Sequence, residues 1–428
     1  MAEVQPFRGF MFNEDKAGSI RLLVSQPYDT ISAEMQTRYY QASDYNFARV
    51  IKGKEFKSDS ASETVYTRAN AYLNAWIAND IVRQDDEPAI YAYEQVYEVT
   101  PGHPKSRLGY IALLKLENFD AHVVFPHEQT HSGPKVDRYK LMEATHANTG
   151  MIFMLYSDPR NAINAILRDQ MVTMPALFDF DMGDDITQRI WRINDTDAIQ
   201  QIQALMTANS LIIADGHHRY ETALKFRDDH PEIPGAAYCM MAFINMDDPG
   251  LSVLPTHRLF KNLPGEIFEN LHTKIENYFN IDSFSIADKQ LFLNDLKKQG
   301  AIHHTFGLYD GGNKFYSLSI KDTNIINSLF PSDMSTDLRH LDVAIFNEII
   351  VKHVLHIQSN IESHISYSKD GDESIELVDN GNFQLAFFLN PTKISQIKAI
   401  TSKGERMPQK STYFYPKLVS GLIFHKLS

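Results

Sequence analysis

Short apolar runs and helical spacings alternate along the first 260 residues, and they predict strands joined by amphipathic helices. Val65, Ala69, Tyr72, Leu73 and Trp76 recur every three or four positions, which predicts a helix over 62–79. Residues 89–99 and 107–117 alternate or run apolar on either side of Thr100-Pro-Gly-His-Pro104, the pattern of a hairpin with a loose loop. Strands are predicted at 123–125, 151–156, 186–193, 237–244 and 251–254, with helices over 139–148 and 197–207. Ser32, with Glu34 close behind, suits a helix start. From about residue 261 the texture changes to helices at 265–279, 286–299 and 341–355 and strands at 303–309, 314–320 and 384–389. The expected fold is α+β (mixed α/β) in two domains, 1–260 and 261–428. No internal repeat or low-complexity linker sharpens that boundary.

The run Leu211-Ile-Ile-Ala214 is long enough for a buried strand and too short for a helix, while Glu221 to Phe226 reads as helix. Between them stand Asp215, Gly216, His217, His218 and Arg219. A turn from strand to helix leaves backbone N–H groups at the positive end of the helix dipole, which suits an anion. Gly216 permits close approach to the backbone, and a guanidinium such as that of Arg219 forks onto phosphate or carboxylate. The reading is a phosphate cradle with an acid beside it. The plain alternative is a capped, solvated helix start.

Composition narrows the function classes. A net charge of −13 over 428 residues argues against general nucleic-acid binding but leaves room for a local basic pocket. The single cysteine, Cys239, excludes an intrachain disulfide and a thiolate-rich metal site. No signal peptide or membrane-spanning segment is apparent, so a cytoplasmic protein is expected. The sequence carries no sign of oligomeric state.

Other chemistry is spread along the chain. His127-Glu-Gln-Thr-His131 has the spacing of a zinc hydrolase, but that chemistry needs both histidines on one face of a helix, and Pro126 and Ser132-Gly-Pro134 hem the stretch in. Glu128 is better read as a ligand-facing carboxylate on a loop, with Lys135 and Arg138 adding positive charge. Tyr28 and Asp29 fall where a strand ends, a common place to meet a ligand. Asp247, next to Asp248, is a candidate with Asp215 for Mg²⁺. Lys410 and Ser411, with Lys417 further on, are candidates to close over a substrate. Neither a P-loop nor a dinucleotide-binding glycine fingerprint occurs.

Pro6-Phe-Arg-Gly, Pro27-Tyr-Asp-Thr-Ile-Ser, Pro126-His-Glu, Gly133-Pro-Lys-Val-Asp-Arg, Ile213-Ala-Asp-Gly-His-His-Arg-Tyr-Glu-Thr-Ala, Asn245-Met-Asp-Asp-Pro-Gly, Pro255-Thr-His-Arg and Met407-Pro-Gln-Lys-Ser-Thr together resemble the "domain of unknown function 1015" family. The Gly-His-His-Arg turn is also similar to the phosphate-binding turn of the ParB/sulfiredoxin-like superfamily, which includes free-serine kinases. That resemblance implies a ParB/sulfiredoxin-like N-terminal part in which Gly216, His217, His218 and Arg219 bind phosphate and Asp215 serves metal or hydroxyl. It also implies a carboxylate elsewhere that activates the acceptor hydroxyl; Glu128 is the candidate and Asp29 the reserve. Sulfiredoxin chemistry would need a cysteine beside the turn, and Cys239 lies elsewhere in an apolar run.

The expected function is a Mg²⁺-dependent phosphotransferase on a small hydroxylated metabolite, with free serine one candidate and a nucleoside di- or triphosphate (ATP or ADP) as co-substrate. Asp215, Glu128 and His218 are its expected catalytic residues. The alternatives are a nucleotide-binding regulatory module without phosphoryl transfer and, third, the zinc hydrolase.

Overall fold

A computed structural model describes residues 1–129, 133–359 and 361–427. The protein is mixed α/β, as its patterning predicts, and it divides into two compact units. The first comprises residues 1–126, 130–252 and 416–428, and the second 127–129 and 253–415. A single cut at 260/261 does not capture this division, because the chain returns to the first unit after residue 415.

The first unit is built on a nine-stranded mixed sheet. Its strands run in the order Val124–Pro126, Leu211–Asp215, Ile152–Tyr156, Tyr238–Asn245, His103–Lys115, Ile90–Thr100, Thr187–Ile193 and Phe178–Asp181, with Val4–Gln5 beside His103–Lys115. Leu211–Asp215 is parallel to Val124–Pro126 and antiparallel to Ile152–Tyr156, which is itself parallel to Tyr238–Asn245. These middle strands are near-continuous apolar runs because both faces are covered, and all of Ile152–Tyr156 is buried. One face packs Ile163 and Leu167 of helix Ala162–Val172 and Ile199, Ile202 and Met206 of helix Thr196–Thr207 against Met154, Tyr156, Trp191 and Ile213. Helices Gly133–Thr145 and His217–Asp229 pack side by side, and Val65–Ala78 lies against the former.

Three local departures from the patterning stand out. The 90–115 hairpin closes tightly, with Thr100 paired to His103 across Pro101-Gly102. Proline presets the first turn position and Gly102 takes φ +76°, the combination a type II turn needs. The helix expected over 139–148 runs instead over Gly133–Thr145, with Pro134 near its start where a missing N–H costs nothing. The helix expected over 265–279 breaks into Gly265–Glu269 and Leu271–Glu276.

The second unit carries a six-stranded, all-antiparallel sheet in the order Phe279–Ser285, Lys314–Ile320, Thr305–Tyr309, Leu385–Phe388, His257–Phe260 and Ile365–Ser368. Helix Lys289–Gln299 places Phe292 and Leu296 on Tyr309, Phe315 and Phe388.

Candidate functional site

The strand Leu211–Asp215 buries its four apolar residues and delivers Asp215 to the sheet's end, half-buried. Gly216 turns the chain at φ +97° and ψ 28°, a left-handed conformation that costs glycine least, and helix His217–Asp229 begins at once. The N-cap position is a glycine, which has no side chain to cap the helix, and the first turn holds no acid. The dipole's positive end is therefore not answered by a local carboxylate cap. His217 and His218 are both partly exposed there.

Asp215 is held by two cations. Lys417 Nζ lies 2.8 Å from Oδ1 and Arg219 Nη2 lies 2.6 Å from Oδ2, all three side chains being one-fifth exposed or less. Burial alone would raise the Asp215 carboxyl; the charges of Lys417 and Arg219, with a smaller contribution from His217, outweigh burial and hold it well below the usual carboxylate range. The acid is thus a fixed anion. Lys417 is itself positioned from behind: Gln95 donates to the Lys417 carbonyl at 3.0 Å, and Arg107 donates to the Pro416 carbonyl at 2.6 Å and to Gln95. The Arg107 guanidinium is fully buried 4.8 Å over the Phe153 ring, and burial draws its pKa down to about 10.

Arg219 departs from the expected open fork. Its two terminal nitrogens donate to Asp215 and to the Met151 carbonyl, and its guanidinium lies flat against Gly216. A Cβ on residue 216 would sit 2.9 Å from Arg219 Nε. Arg219 therefore shapes the turn and fixes Asp215.

Tyr28 and Arg138 join this corner. The Arg138 guanidinium stacks 4.0 Å over the Tyr28 ring and pairs with Asp137, to which Tyr66 donates at 2.9 Å. Burial raises the Tyr28 phenol above its ordinary range, while the nearby Arg219 charge opposes and Asp29 adds to the rise. Asp29 is exposed. Lys135 does not reach the turn as a spare cation; it pairs with Glu221 at 2.5 Å, tying the two neighbouring helices.

The structure does not bring the proposed metal pair together. Asp215 aligns with Phe153 at one end of Ile152–Tyr156, whereas Asn245, just before Asp247, aligns with Tyr156 at the other. Three strand positions separate those levels, about 10 Å, so Asp215 and Asp247 cannot share an ion. Asp247 instead accepts from Ser157 at 2.6 Å. No group of three or more His, Cys, Asp or Glu among the described residues is placed to hold a metal.

The remaining candidates belong to the second unit. Glu128 accepts from the backbone N–H groups of Ser411 at 3.0 Å, Thr412 at 3.1 Å and Lys410 at 3.3 Å, and from the Thr412 hydroxyl at 3.2 Å. It nails down the turn in which Lys410 has φ +57°, so Lys410 and Ser411 serve Glu128 through their backbones. His127 is buried, with Nε2 2.8 Å from Thr412 Oγ1. Residues 127–129 are not helical, so the geometry that zinc hydrolysis requires is missing; His131 lies outside the described residues.

A family profile described as "Protein of unknown function (DUF1015)" matches residues 4–344. The chain belongs to the DUF1015 family. No curated protein matches this DUF1015 chain. Among solved structures it is similar to a free serine kinase mutant in complex with ADP, at 12% identity, 68% coverage of this chain and 84% of that one, and a TM-score of 0.35. A conserved hypothetical protein from Pyrococcus furiosus gives 13%, 71%, 92% and 0.35 in the same order. SbnI with a C-terminal truncation, from Staphylococcus aureus, gives 11%, 72%, 85% and 0.36. Similarity at this level says nothing about what the DUF1015 chain binds.

The structure brings Tyr28, named from the sequence, beside Arg219 of the contiguous turn. Sequence reasoning cast Lys417 as closing over a substrate rather than as the partner of Asp215, and it passed over Arg107, whose local sequence looks like ordinary strand.

Proposed function

We propose that this protein is a nucleotide-dependent phosphotransferase acting on a small hydroxylated metabolite, with its phosphate site at the start of helix His217–Asp229. One observation carries the reading: a long helix begins on a left-handed glycine, which has no capping side chain of its own, beside an aspartate that Lys417 and Arg219 hold in place. Backbone N–H groups of Gly216 to His218, the imidazoles of His217 and His218, and the Lys417 ammonium supply the positive field for a phosphoryl group. Phosphoryl transfer rests mainly on such positioning and charge neutralisation. Asp215 orients the cations; Asp29, exposed next to Tyr28 in the same unit, is the carboxylate we assign to the acceptor hydroxyl in place of Glu128, whose oxygens already accept several hydrogen bonds. His218 keeps its proposed place at the transferring group.

The residues present do not fit a protein-held Mg²⁺, because both Asp215 oxygens already face cations. Magnesium enters this reading only as the ion that accompanies nucleotide phosphates. The occupied fork of Arg219 favours a second reading, a nucleotide-binding regulatory module without transfer. No helix among the described residues is long and apolar enough to cross a membrane, and we place the protein in the cytoplasm.

The test is incubation of the full chain with ATP or ADP, Mg²⁺ and a panel of hydroxylated metabolites including serine, followed by mass spectrometry. A phosphorylated product that disappears in Lys417→Met supports the transferase. Saturable nucleotide binding with no product supports the module, and absence of nucleotide binding removes both.

A further inference from the structure

Behind the Asp-Gly-His-His turn, wholly within the first unit, lies a cavity of about 40 Å³. Tyr28, Arg138, Leu141, Arg219, Thr222 and Cys239 are among its walls. Two buried polar atoms on this wall, Arg219 Nε and Thr222 Oγ1, have no hydrogen-bond partner among the described residues. They sit three residues apart on one face of helix His217–Asp229, and Thr222 is only 3% exposed. Buried donors are almost always satisfied, so a pair of orphans on one cavity wall marks a place for an acceptor.

The chemistry of the wall limits what fits. A guanidinium Nε–H only donates, and a threonine hydroxyl can donate alongside it, so the complement is a group with two acceptors side by side. The Arg138 guanidinium, 4.0 Å over the Tyr28 ring, adds positive charge. Cys239 adds none of the opposite sign, because burial pushes its thiol up to about 12. The space admits a planar carboxylate and is too small for a nucleoside.

We infer that this cavity is the carboxylate subsite of the acceptor, and that the acceptor is a small hydroxy acid or hydroxyl-bearing amino acid. The assignment rests on the transferase reading for what the ligand is used for, but not for the ligand's binding. Arg219 links the two places: Nη2 donates to Asp215, while the same side chain lines the cavity and its buried Nε has no hydrogen-bond partner among the described residues.

The experiment is calorimetric titration of the full chain with L-serine, D-glycerate and, as the uncharged control, glycerol. Thr222→Val removes the hydroxyl and keeps its shape; Thr222→Ser keeps the hydroxyl. The acids are expected to bind and glycerol not to bind. Thr222→Val is expected to weaken the acids at least tenfold, Thr222→Ser to restore them, and ADP affinity to stay within twofold throughout. Equal binding of acid and glycerol, a valine variant that binds as well as the parent, a serine variant as weak as the valine, or no acid binding at all would each overturn the subsite. Thr222-dependent acid binding without nucleotide binding or product would sink the transferase and leave the subsite standing.

Discussion

Lys417 and Asp215 are 202 residues apart in sequence and in contact in the fold, which makes their pair the sharpest test at the scale of single residues. Lys417→Met leaves a largely buried carboxylate with one counter-charge and is expected to cost about 1–3 kcal/mol in urea unfolding. Asp215→Asn in the same background should recover part of that loss; strict additivity of the two changes would show that the pair is not coupled. Because the folded Asp215 carboxyl lies below its unfolded value, its contribution to stability is complete above the unfolded value, near pH 4. It is lost as pH falls through the lower, folded value, so the parent should lose more stability on acidification than Asp215→Asn. Gly216→Ala forces a methyl to within 2.9 Å of the Arg219 guanidinium at φ +97°. It is expected to cost about 1–2 kcal/mol and to weaken nucleotide binding at least tenfold, read by thermal shift with and without ADP. The turn was legible because its residues are consecutive. Its counter-ion was not, since no local pattern in Pro416-Lys417-Leu418 distinguishes a buried lysine from a solvated one.

Elements whose periodicity persists over several turns or strand positions were readable: Val65–Ala78, Leu211–Asp215 and Tyr238–Asn245 all lie where the apolar spacing puts them. Those set by proline and glycine were misjudged, because Pro101-Gly102 closes a tight turn where five residues looked loose, and Pro134 opens a helix where it looked like a break. Helix Ala162–Val172 and strand Phe178–Asp181 were not singled out at all. Close strand packing hides in single residues: a Cβ at Gly109 would meet the Phe243 carbonyl at 2.3 Å and Ile244 Cδ1 at 2.2 Å. Gly109→Ala must therefore push His103–Lys115 away from Tyr238–Asn245 in mid-sheet, and is expected to destabilise by about 3 kcal/mol or more. An alanine variant with the parent's unfolding midpoint would show that this pairing is looser than described.

The whole molecule is an interrupted one. Residues 416–428 return to the first unit, where Ser420 and Ser25 exchange backbone hydrogen bonds, Phe424 pairs with and stacks on Phe10 at 5.1 Å, and Leu427 donates to His146. Removing 416–428 should raise amide hydrogen exchange in residues 7–25 and 146–148 and abolish nucleotide binding; unchanged exchange there would mean that the return strand is decoration. The return also sets an order on biosynthesis. Residue 417 emerges only after 253–415 have been made, roughly ten to thirty seconds of elongation at 5–20 residues per second. During that interval the nascent Asp215 has Arg219 as its neighbour but lacks its lysine, so the corner around Asp215 is wired last, after the inserted unit has had time to fold.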